Sequence, residues 1–324
     1  MKAVWYERNG PADAVLVFGD KPTPKPVKNE VLVKLKTSGV NPSDVKSRAG
    51  RPAGYDYKIP HSDGAGVIET VGEGADGSRI GERVWIWNGA WARRDGTCAE
   101  YITLPQEQAV KLDDSVSFEI GACLGIPGLT AAHAINRLGE PDGSPILVTG
   151  GASSVGYYVI QMAVQKGHTV IATASASKSD VAMRAGAAAS VDYQNQDVAQ
   201  AVLEFTKGAG VKTVIDMDFS TTSHLISTDA LSPHSKIICY GSNDMGDLEV
   251  PFRDLLFKSI RMDFFLVYEM TQSERQKAVT GLNTFLMSGK IDTRIAETFP
   301  LSQTIKAHEL VESGSPNGNI VITL

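Results

Sequence analysis

The chain has 324 residues, of which 42% are hydrophobic and 21% charged, and its formal net charge is −6. This composition excludes collagen, coiled coils and disordered chains, and the length favours two domains because single hydrophobic cores stop growing at roughly 250–300 residues. The acidic balance, with 31 Lys and Arg against 37 Asp and Glu, argues against a nucleic-acid-binding protein, which normally carries a basic surface.

The first hundred residues predict a β-rich domain. All four tryptophans lie there, and residues 30–36 and 64–72 form short runs bounded by Gly, Pro and Asn. Such runs are typical of antiparallel strands joined by turns.

The segment 146–232 contains no proline and predicts a doubly wound domain. Apolar strand-like runs alternate there with segments of helical periodicity, which indicates βαβ units and a parallel sheet covered on both faces. The predicted strands are 146–149, 169–173, 214–216 and 236–240, and the predicted helices lie near 155–163, 198–205 and 223–231.

The last part of the chain predicts a return to the first domain. It carries a helix near 273–288, a strand at 297–299, a helix at 302–312 and a strand at 319–323. Two helices and two strands are too few to form a third hydrophobic core, because they would bury little surface. We therefore expect one domain from residues 1–124 and 266–324, and a second from residues 125–265.

A glycine-rich turn at residues 148–156 joins a predicted strand to a predicted helix. Small residues allow the backbone to approach a pyrophosphate, whose charge the N-terminal N–H groups of the helix stabilise. We expect a dinucleotide to bind Gly150, Ser153, Ser154, Val155 and Gly156.

The end of the second strand of this domain favours NADP(H) over NAD(H). An NAD site places an acid there to bind the ribose hydroxyls, whereas this chain reads Thr-Ala-Ser-Ala-Ser-Lys at residues 173–178. Ser175 can donate a hydrogen bond to a 2′-phosphate and Lys178 can neutralise it. The alternative is that Lys178 is only a solvated residue at a helix start.

Three widely spaced cysteines predict a reducing compartment. Cys98, Cys123 and Cys239 form no C-x-x-C pair, so they indicate neither a disulfide framework nor a cysteine zinc lobe. No stretch of about 18 apolar residues occurs. We expect a cytoplasmic protein that does not associate with a membrane.

Several stretches together identify a family resemblance. They are residues 39–44, 62–72, 81–84, 96–101 and 125–131, in addition to the glycine turn. Their order and spacing resemble the quinone oxidoreductase (zeta-crystallin-like) branch of the medium-chain dehydrogenase/reductase superfamily over the whole chain. The resemblance implies an α/β protein in which a GroES-like β-rich catalytic domain accompanies a Rossmann domain with a doubly wound parallel sheet, and NADPH as the cofactor.

The resemblance also implies roles for individual residues. Thr130 would contact the nicotinamide carboxamide, and Asn41 would make a polar contact near the nicotinamide and the substrate. The 2′-phosphate would be surrounded by Ser175, Lys178 and Tyr193, and the nicotinamide ribose and ring would be lined by Ser242, Asn243, Leu266 and Val267.

Some positions depart from the family pattern. Ser153 and Ser154 replace two glycines of the turn, and Lys46 and Pro52 stand where the family has tyrosines. Tyr55 and Tyr57 are close enough in sequence to substitute for them. We expect Asn41 to donate a hydrogen bond to the substrate, Tyr55 or Lys46 to supply a proton, and Trp91 to line the substrate pocket.

No metal site is predicted. Catalytic zinc in this superfamily needs cysteine and histidine ligands, but Asn41 replaces the cysteine and His61 is followed by Ser62 and Asp63.

The favoured function is a zinc-free NADPH:quinone reductase. The alternatives are an enone or alkenal reductase and, in another class, an NADPH-binding structural or RNA-binding crystallin-like protein. We also expect a homodimer, formed through an edge strand at Met262–Tyr268.

Overall fold

The computed structural model describes residues 1–51 and 54–324, which divide into two compact units. The first unit comprises residues 1–126 and 293–324, and the second comprises residues 127–292. The first unit is therefore built from both ends of the chain. No helix among the described residues is long and apolar enough to cross a membrane.

The N-terminal part of the first unit is rich in strands. They are β1 (Lys2–Trp5), β2 (Val17–Asp20), β3 (Glu30–Val40), β4 (Asp63–Val71), β5 (Arg83–Ile86), β6 (Tyr101–Pro105) and β7 (Ala109–Lys111). Its helices are short: α1 (Ala12–Val15), α2 (Pro42–Gly50) and α3 (Phe118–Gly121). The long strand β3 pairs antiparallel with β4 and also with β6.

The second unit alternates strands and helices, as the pattern of residues 146–232 predicts. Its strands are β8 (Ile146–Val148), β9 (Val170–Ala174), β10 (Ala189–Asp192), β11 (Val211–Asp216), β12 (Leu231–Cys239) and β13 (Arg261–Phe264). Its helices are α4 (Leu129–Leu138), α5 (Ser154–Gln165), α6 (Ser179–Arg184), α7 (Val198–Phe205), α8 (Phe219–Thr222), α9 (Phe252–Lys258) and α10 (Gln272–Met287).

The sheet of the second unit is parallel throughout, with the order β10-β9-β8-β11-β12-β13. The chain runs outward from β8 in one direction and then from β11 in the other, which is the doubly wound arrangement that the sequence predicts. In such sheets, ligands bind beyond the carboxyl ends of the strands where the strand order reverses. Here that point lies between β8 and β11.

The C-terminal segment completes the sheet of the first unit. It forms β14 (Ile295–Pro300), α11 (Thr304–Glu312) and β15 (Asn319–Thr323). The strand order is β14-β15-β3-β4-β5-β7, with β6 also paired to β3. Because β15 pairs directly with β3, the two ends of the chain share one sheet.

The second boundary between the units differs from the prediction. It was expected after residue 265, but residues up to Asp292 belong to the second unit. The reason is that α10 and the loop after it are bonded to that unit: Arg137 on α4 pairs with Glu274 at 2.8 Å, and Gln161 on α5 accepts a hydrogen bond from the Asp292 N–H at 2.7 Å. The first boundary, expected after residue 124, comes after Ile126.

Two predicted elements are shorter than expected. The helix near residues 223–231 is a 3₁₀ turn at Ser223–Ser227, because Leu231 already pairs with Val211 as the first residue of β12. The edge strand expected at residues 262–268 is Arg261–Phe264, because the chain then forms a 3₁₀ turn at Val267–Glu269.

Candidate functional site

The glycine-rich turn follows β8 at the point where the strand order reverses. Gly150 has a φ of +65°, and a Cβ atom there would lie 1.7 Å from the Met217 sulfur. A Cβ atom at Gly156 would lie 2.2 Å from the carbonyl oxygen of Gly150. Glycine is therefore required at both positions, and no side chain covers the backbone where a ligand would approach.

The serine that begins α5 caps the helix. Ser153 Oγ accepts a hydrogen bond from the Gly156 N–H at 3.0 Å, so that Ser154 and Val155 form the first turn of α5. The first N–H groups of a helix have no partner within the helix and favour an anion. The structure thus brings the five predicted turn residues together at one helix N-terminus.

A buried aspartate holds the adjacent strand ends together. Asp216, at the end of β11, accepts hydrogen bonds from Thr149 Oγ1 at 2.6 Å and from Thr222 Oγ1 at 2.7 Å. Burial raises the pKa of Asp216, although these hydrogen bonds act in the opposite direction. Thr149 immediately precedes Gly150, so the hydrogen bond to Asp216 stabilises the start of the glycine-rich turn. Sequence analysis did not identify this role.

The residues predicted to bind a 2′-phosphate lie at the ends of two neighbouring strands. Ser175 directly follows β9 and Tyr193 directly follows β10, and the last residues of these parallel strands, Ala174 and Asp192, are paired. Lys178 closes the turn after Ser175 through a backbone hydrogen bond of 2.9 Å. The three predicted residues are thus on the same edge of the sheet.

A pocket of about 490 Å³ lies at the carboxyl ends of β12 and β13. It is lined by two predicted nicotinamide residues, Ser242 and Leu266, and by aromatic side chains that include Phe219, Tyr240 and Phe264. This lining is mostly apolar, as is usual for sites that bind a planar organic group.

Asn243, another predicted nicotinamide residue, is held by a carboxylate that sequence analysis missed. Asp218 accepts hydrogen bonds from the backbone N–H of Asn243 at 2.8 Å and from its side-chain amide at 2.6 Å. Burial would raise the pKa of Asp218, but hydrogen bonds from Ser220 and Asn243 lower it below its usual value. Asp218 therefore orders the loop that follows β12.

The segment after β13 is held by a buried arginine. Arg275 on α10 donates hydrogen bonds to the carbonyl oxygens of Val267, at 2.7 Å, and Tyr268, at 3.3 Å. Burial lowers the pKa of Arg275 to about 10. Val267 and its neighbour Leu266 are predicted nicotinamide residues, so Arg275 determines their backbone position. The remaining predicted nicotinamide residue, Thr130, is buried in the first turn of α4.

The first unit contains a buried polar cluster around Asn41. Its side-chain amide donates a hydrogen bond of 2.9 Å to Asp63, and its backbone N–H donates one of 2.8 Å to Asp44 in the first turn of α2. Both carboxyl groups are buried. Burial raises the pKa of Asp44 to about 7 and raises that of Asp63 well above its usual value.

A chain of hydrogen bonds connects this cluster to the C-terminal segment. Thr97 Oγ1 donates to the carbonyl oxygen of Asp63 at 2.6 Å, so Ser38 Oγ, 2.7 Å away, must donate to Thr97. Ser38 then accepts from His61 Nδ1 at 2.9 Å. His61 Nε2 consequently accepts from His308 Nε2 at 2.8 Å. In this arrangement of hydrogen bonds His61 and His308 are both neutral, and burial lowers the pKa of His61 to about 3.

The predicted proton donors lie outside this buried cluster. Tyr55 is 42% exposed, and its hydroxyl donates a hydrogen bond of 2.9 Å to the carbonyl oxygen of Ala92, next to Trp91. Lys46 is exposed on α2. Pro52 lies outside the described residues. The structure therefore brings Tyr55 to the loop that carries Trp91, whereas Lys46 lies on the exposed side of α2.

A lysine that sequence analysis did not identify contacts the same loop. Lys58 Nζ donates a hydrogen bond of 3.1 Å to the carbonyl oxygen of Ala90. Burial lowers the pKa of Lys58, against the attraction of Asp44. The ring of Tyr57, by contrast, is in contact with two cationic groups, Lys21 at 3.7 Å and Arg94 at 4.6 Å from its centroid. The neighbouring residues Tyr57 and Lys58 therefore have different partners, which only the tertiary structure determines.

The candidate metal ligands are engaged in other interactions. Asn41 and Asp63 bind each other, and His61 binds Ser38 and His308. Among residues 1–51 and 54–324, no group of three His, Cys, Asp or Glu side chains is arranged to hold a metal ion. The three cysteines are buried free thiols, and burial raises the pKa of each: Cys98, Cys123 and Cys239.

Comparison with known proteins gives consistent family matches. Residues 27–114 match the alcohol dehydrogenase GroES-like domain, and residues 154–283 match the family described as zinc-binding dehydrogenase. Human quinone oxidoreductase is 27% identical, and the alignment covers 100% of this chain and 98% of that protein. The trans-enoyl reductase tazE of Aspergillus terreus is 30% identical over 240 residues, which are 69% of this chain and 77% of that protein.

A solved structure shows the same fold over the whole chain. Escherichia coli quinone oxidoreductase complexed with NADPH superimposes with a TM-score of 0.89 at 25% identity, covering 100% of both chains. The predicted combination of a GroES-like domain with a Rossmann-type parallel-sheet domain is confirmed. The chain belongs to the quinone oxidoreductase branch of the medium-chain dehydrogenase/reductase superfamily.

Proposed function

We propose that the protein is an NADPH-dependent oxidoreductase that transfers a hydride to quinones. The observation that carries this proposal is the edge formed by β9 and β10, where Ser175, Lys178 and Tyr193 replace the acid of an NAD site. Human and E. coli quinone oxidoreductases, the latter complexed with NADPH, are full-length relatives.

The residues of the second unit fit a bound dinucleotide phosphate. The turn at Gly150 and Gly156 has no room for a Cβ atom, and the adjoining helix N-terminus favours the pyrophosphate. Ser153, Ser154 and Val155 would contact the pyrophosphate, and Thr130, Ser242, Asn243, Leu266 and Val267 would hold the nicotinamide end. When bound, NADPH supplies the hydride.

The first unit would bind the substrate oxygen and supply a proton. The side-chain amide of Asn41 donates a hydrogen bond to Asp63 and is also bonded to Asp44. We propose that this amide is the donor to the substrate oxygen, where negative charge develops during reduction. Tyr55 or Lys46 would supply the proton, and Tyr55 is favoured because it contacts the loop that carries Trp91, the proposed substrate-binding residue.

Substrate turnover tests this proposal. Steady-state rates with 1,2-naphthoquinone and 9,10-phenanthrenequinone would be compared with rates for alkenals, each with NADPH and with NADH. We expect the quinones to be the better substrates and NADPH to have the lower KM. Equal KM values for the two cofactors would contradict the assignment of Ser175 and Lys178.

An enone or alkenal reductase is the second candidate. Hydride addition to the β-carbon of an enone leaves an enolate, which a donor such as Asn41 would stabilise. The trans-enoyl reductase among the relatives favours this reading. Faster turnover of alkenals than of quinones would establish it. Tight NADPH binding with no turnover on either panel would instead support a structural or RNA-binding role, which the net charge of −6 disfavours.

We also propose that the reaction needs no zinc. The amide of Asn41 replaces a thiolate ligand and is bonded to Asp63, while His61 is bonded to His308. An amide is a poor zinc ligand compared with the thiolates and imidazoles of known sites. Metal analysis of the purified, active protein tests this, and stoichiometric zinc would overturn it.

A homodimer through the edge of the parallel sheet is proposed as well. β13 forms that edge, with Met262 and Phe264 exposed by 38% and 55%. The neighbouring helix α9 exposes further apolar side chains, Phe252, Leu256 and Phe257. A second copy of the same edge would extend the sheet and cover this surface. Light scattering should give twice the mass of one chain, and a monomeric mass would refute the proposal.

A cytoplasmic location is proposed from the cysteines. Cys98, Cys123 and Cys239 are all free and buried, as expected in a reducing compartment. Cell fractionation of the tagged protein tests the location, and recovery in a secreted or membrane fraction would contradict it.

A further inference from the structure

Asp63 is fully buried at the first residue of β4, and its carboxyl group joins two separate segments. Both of its oxygens accept the N–H of Ile126 at 2.9 Å, and Oδ2 also accepts the side-chain amide of Asn41 at 2.9 Å. A Cβ atom at Gly125 would lie 2.1 Å from Oδ1. The carboxyl group is therefore held by hydrogen bonds from both segments and packs closely against Gly125.

The position of this carboxyl group determines the orientation of the Asn41 side chain. An asparagine amide can be rotated to present either its oxygen or its nitrogen to a neighbour, and the two ends have opposite hydrogen-bonding character. The acceptor oxygen of Asp63 selects the nitrogen end. Asn41 also begins α2, where both its backbone N–H and its side chain are bonded to Asp44, so the whole residue is held in place.

We propose that Asp63 is a positioning residue, which holds the side-chain amide of Asn41 in the orientation that donates to the substrate oxygen. This inference rests on the proposed function of Asn41. A hydrogen-bond donor aids a reaction only when it is held close to the position where charge develops, and small displacements are costly. Asp63 itself does not contact the reacting atoms in this arrangement.

A double-mutant cycle tests whether Asp63 acts through Asn41. The variants are Asp63→Ala, Asn41→Ala and the double variant, measured for kcat with the best quinone and for NADPH affinity. Losing one preorganised donor costs on the order of 100-fold in kcat, so we expect a loss of ~10-fold to 100-fold for each single variant. The double variant should be no slower than Asn41→Ala, and the Kd for NADPH should change little.

Two further variants separate positioning from a general structural effect. Asp63→Asn retains an oxygen that can accept from Asn41, and its kcat should remain within about threefold of wild type. Thr37→Val removes another buried hydrogen bond of the first unit, to the Phe118 carbonyl, and should lower the melting temperature without lowering kcat. Multiplicative kcat losses in the cycle, or a kcat for Asp63→Asn as low as for Asp63→Ala, would overturn the proposal.

Exchanged side chains provide the test if Asp63→Ala does not fold. In Asn41→Asp two buried carboxyl groups face each other, and adding Asp63→Asn restores a donor and an acceptor with their order reversed. We expect the exchange to recover the melting temperature but not kcat, because position 41 then lacks an N–H; recovery of both would overturn the inference. Failure of the wild-type protein to reduce quinones or enones would refute the proposed function instead.

Discussion

Acidification should destabilise the first unit through its two buried histidines. His61 and His308 are 0% exposed, and their Nε2 atoms are 2.8 Å apart, which leaves room for only one hydrogen between them. Burial lowers the pKa of His61 to about 3 and that of His308 well below its usual value. Both imidazoles therefore take up a proton less readily in the folded protein than in the unfolded chain.

The sign and size of the effect follow from proton linkage. Above pH 6.5 a histidine is neutral in both states and contributes no pH dependence. Below pH 6.5 the unfolded state binds the proton more tightly than the folded state, so stability falls by up to about 1.4 kcal/mol per pH unit for each histidine. At pH 5 the loss is about 2 kcal/mol for His61, whose folded-state pKa is about 3, and at most about 2 kcal/mol for His308.

Tryptophan fluorescence during urea unfolding follows the first unit. All four tryptophans lie in that unit: Trp5, Trp85, Trp87 and Trp91. The raised pKa values of Asp44 and Asp63 act in the opposite direction, since these groups bind protons more readily in the folded state. Comparing wild type with His308→Gln cancels their contribution, because the glutamine amide can still donate to His61 but does not titrate.

Between pH 7 and pH 5, wild type should lose more stability than His308→Gln, by at most about 2 kcal/mol. The control is His224→Gln, which replaces an exposed histidine of the second unit and should follow the wild-type profile. Parallel profiles for wild type and His308→Gln would refute the reasoning, because they would mean that the buried pair takes up protons in the folded state.

Three further predictions concern the second unit. Gly150→Ala should destabilise the protein by at least about 1 kcal/mol and weaken NADPH binding, since the new methyl group collides with Met217; calorimetry of unfolding and binding checks both. Lys178→Ala should raise the Kd for NADPH about tenfold and leave that for NADH unchanged, as titration by cofactor fluorescence would show. Arg275→Met should weaken binding of NADPH but not of 2′,5′-ADP, because it releases only the segment around Val267; equal weakening of both would contradict this role.

Several features of the protein follow from the sequence alone because they depend on neighbouring residues. The alternation of strands and helices in residues 146–232 predicts the parallel sheet, and the turn at Gly150 must have glycine because of its local conformation. The placement of Ser175 also follows, since it comes just after the predicted strand 169–173, at the edge where such strands end. Tyr193, in contrast, was named by the family resemblance, and the strand before it, β10, is seen only in the structure.

Tertiary structure alone determines the interactions that join distant parts of the chain. Asp63 meets Asn41 and Ile126, and His61 meets His308, which is 247 residues away in sequence. No local pattern distinguishes these residues from other buried polar ones, because their partners are selected by packing. The same reason explains the boundary after Asp292: the ion pair of Glu274 on α10 with Arg137 on α4, and the hydrogen bond of Asp292 to Gln161 on α5, assign this segment to the second unit.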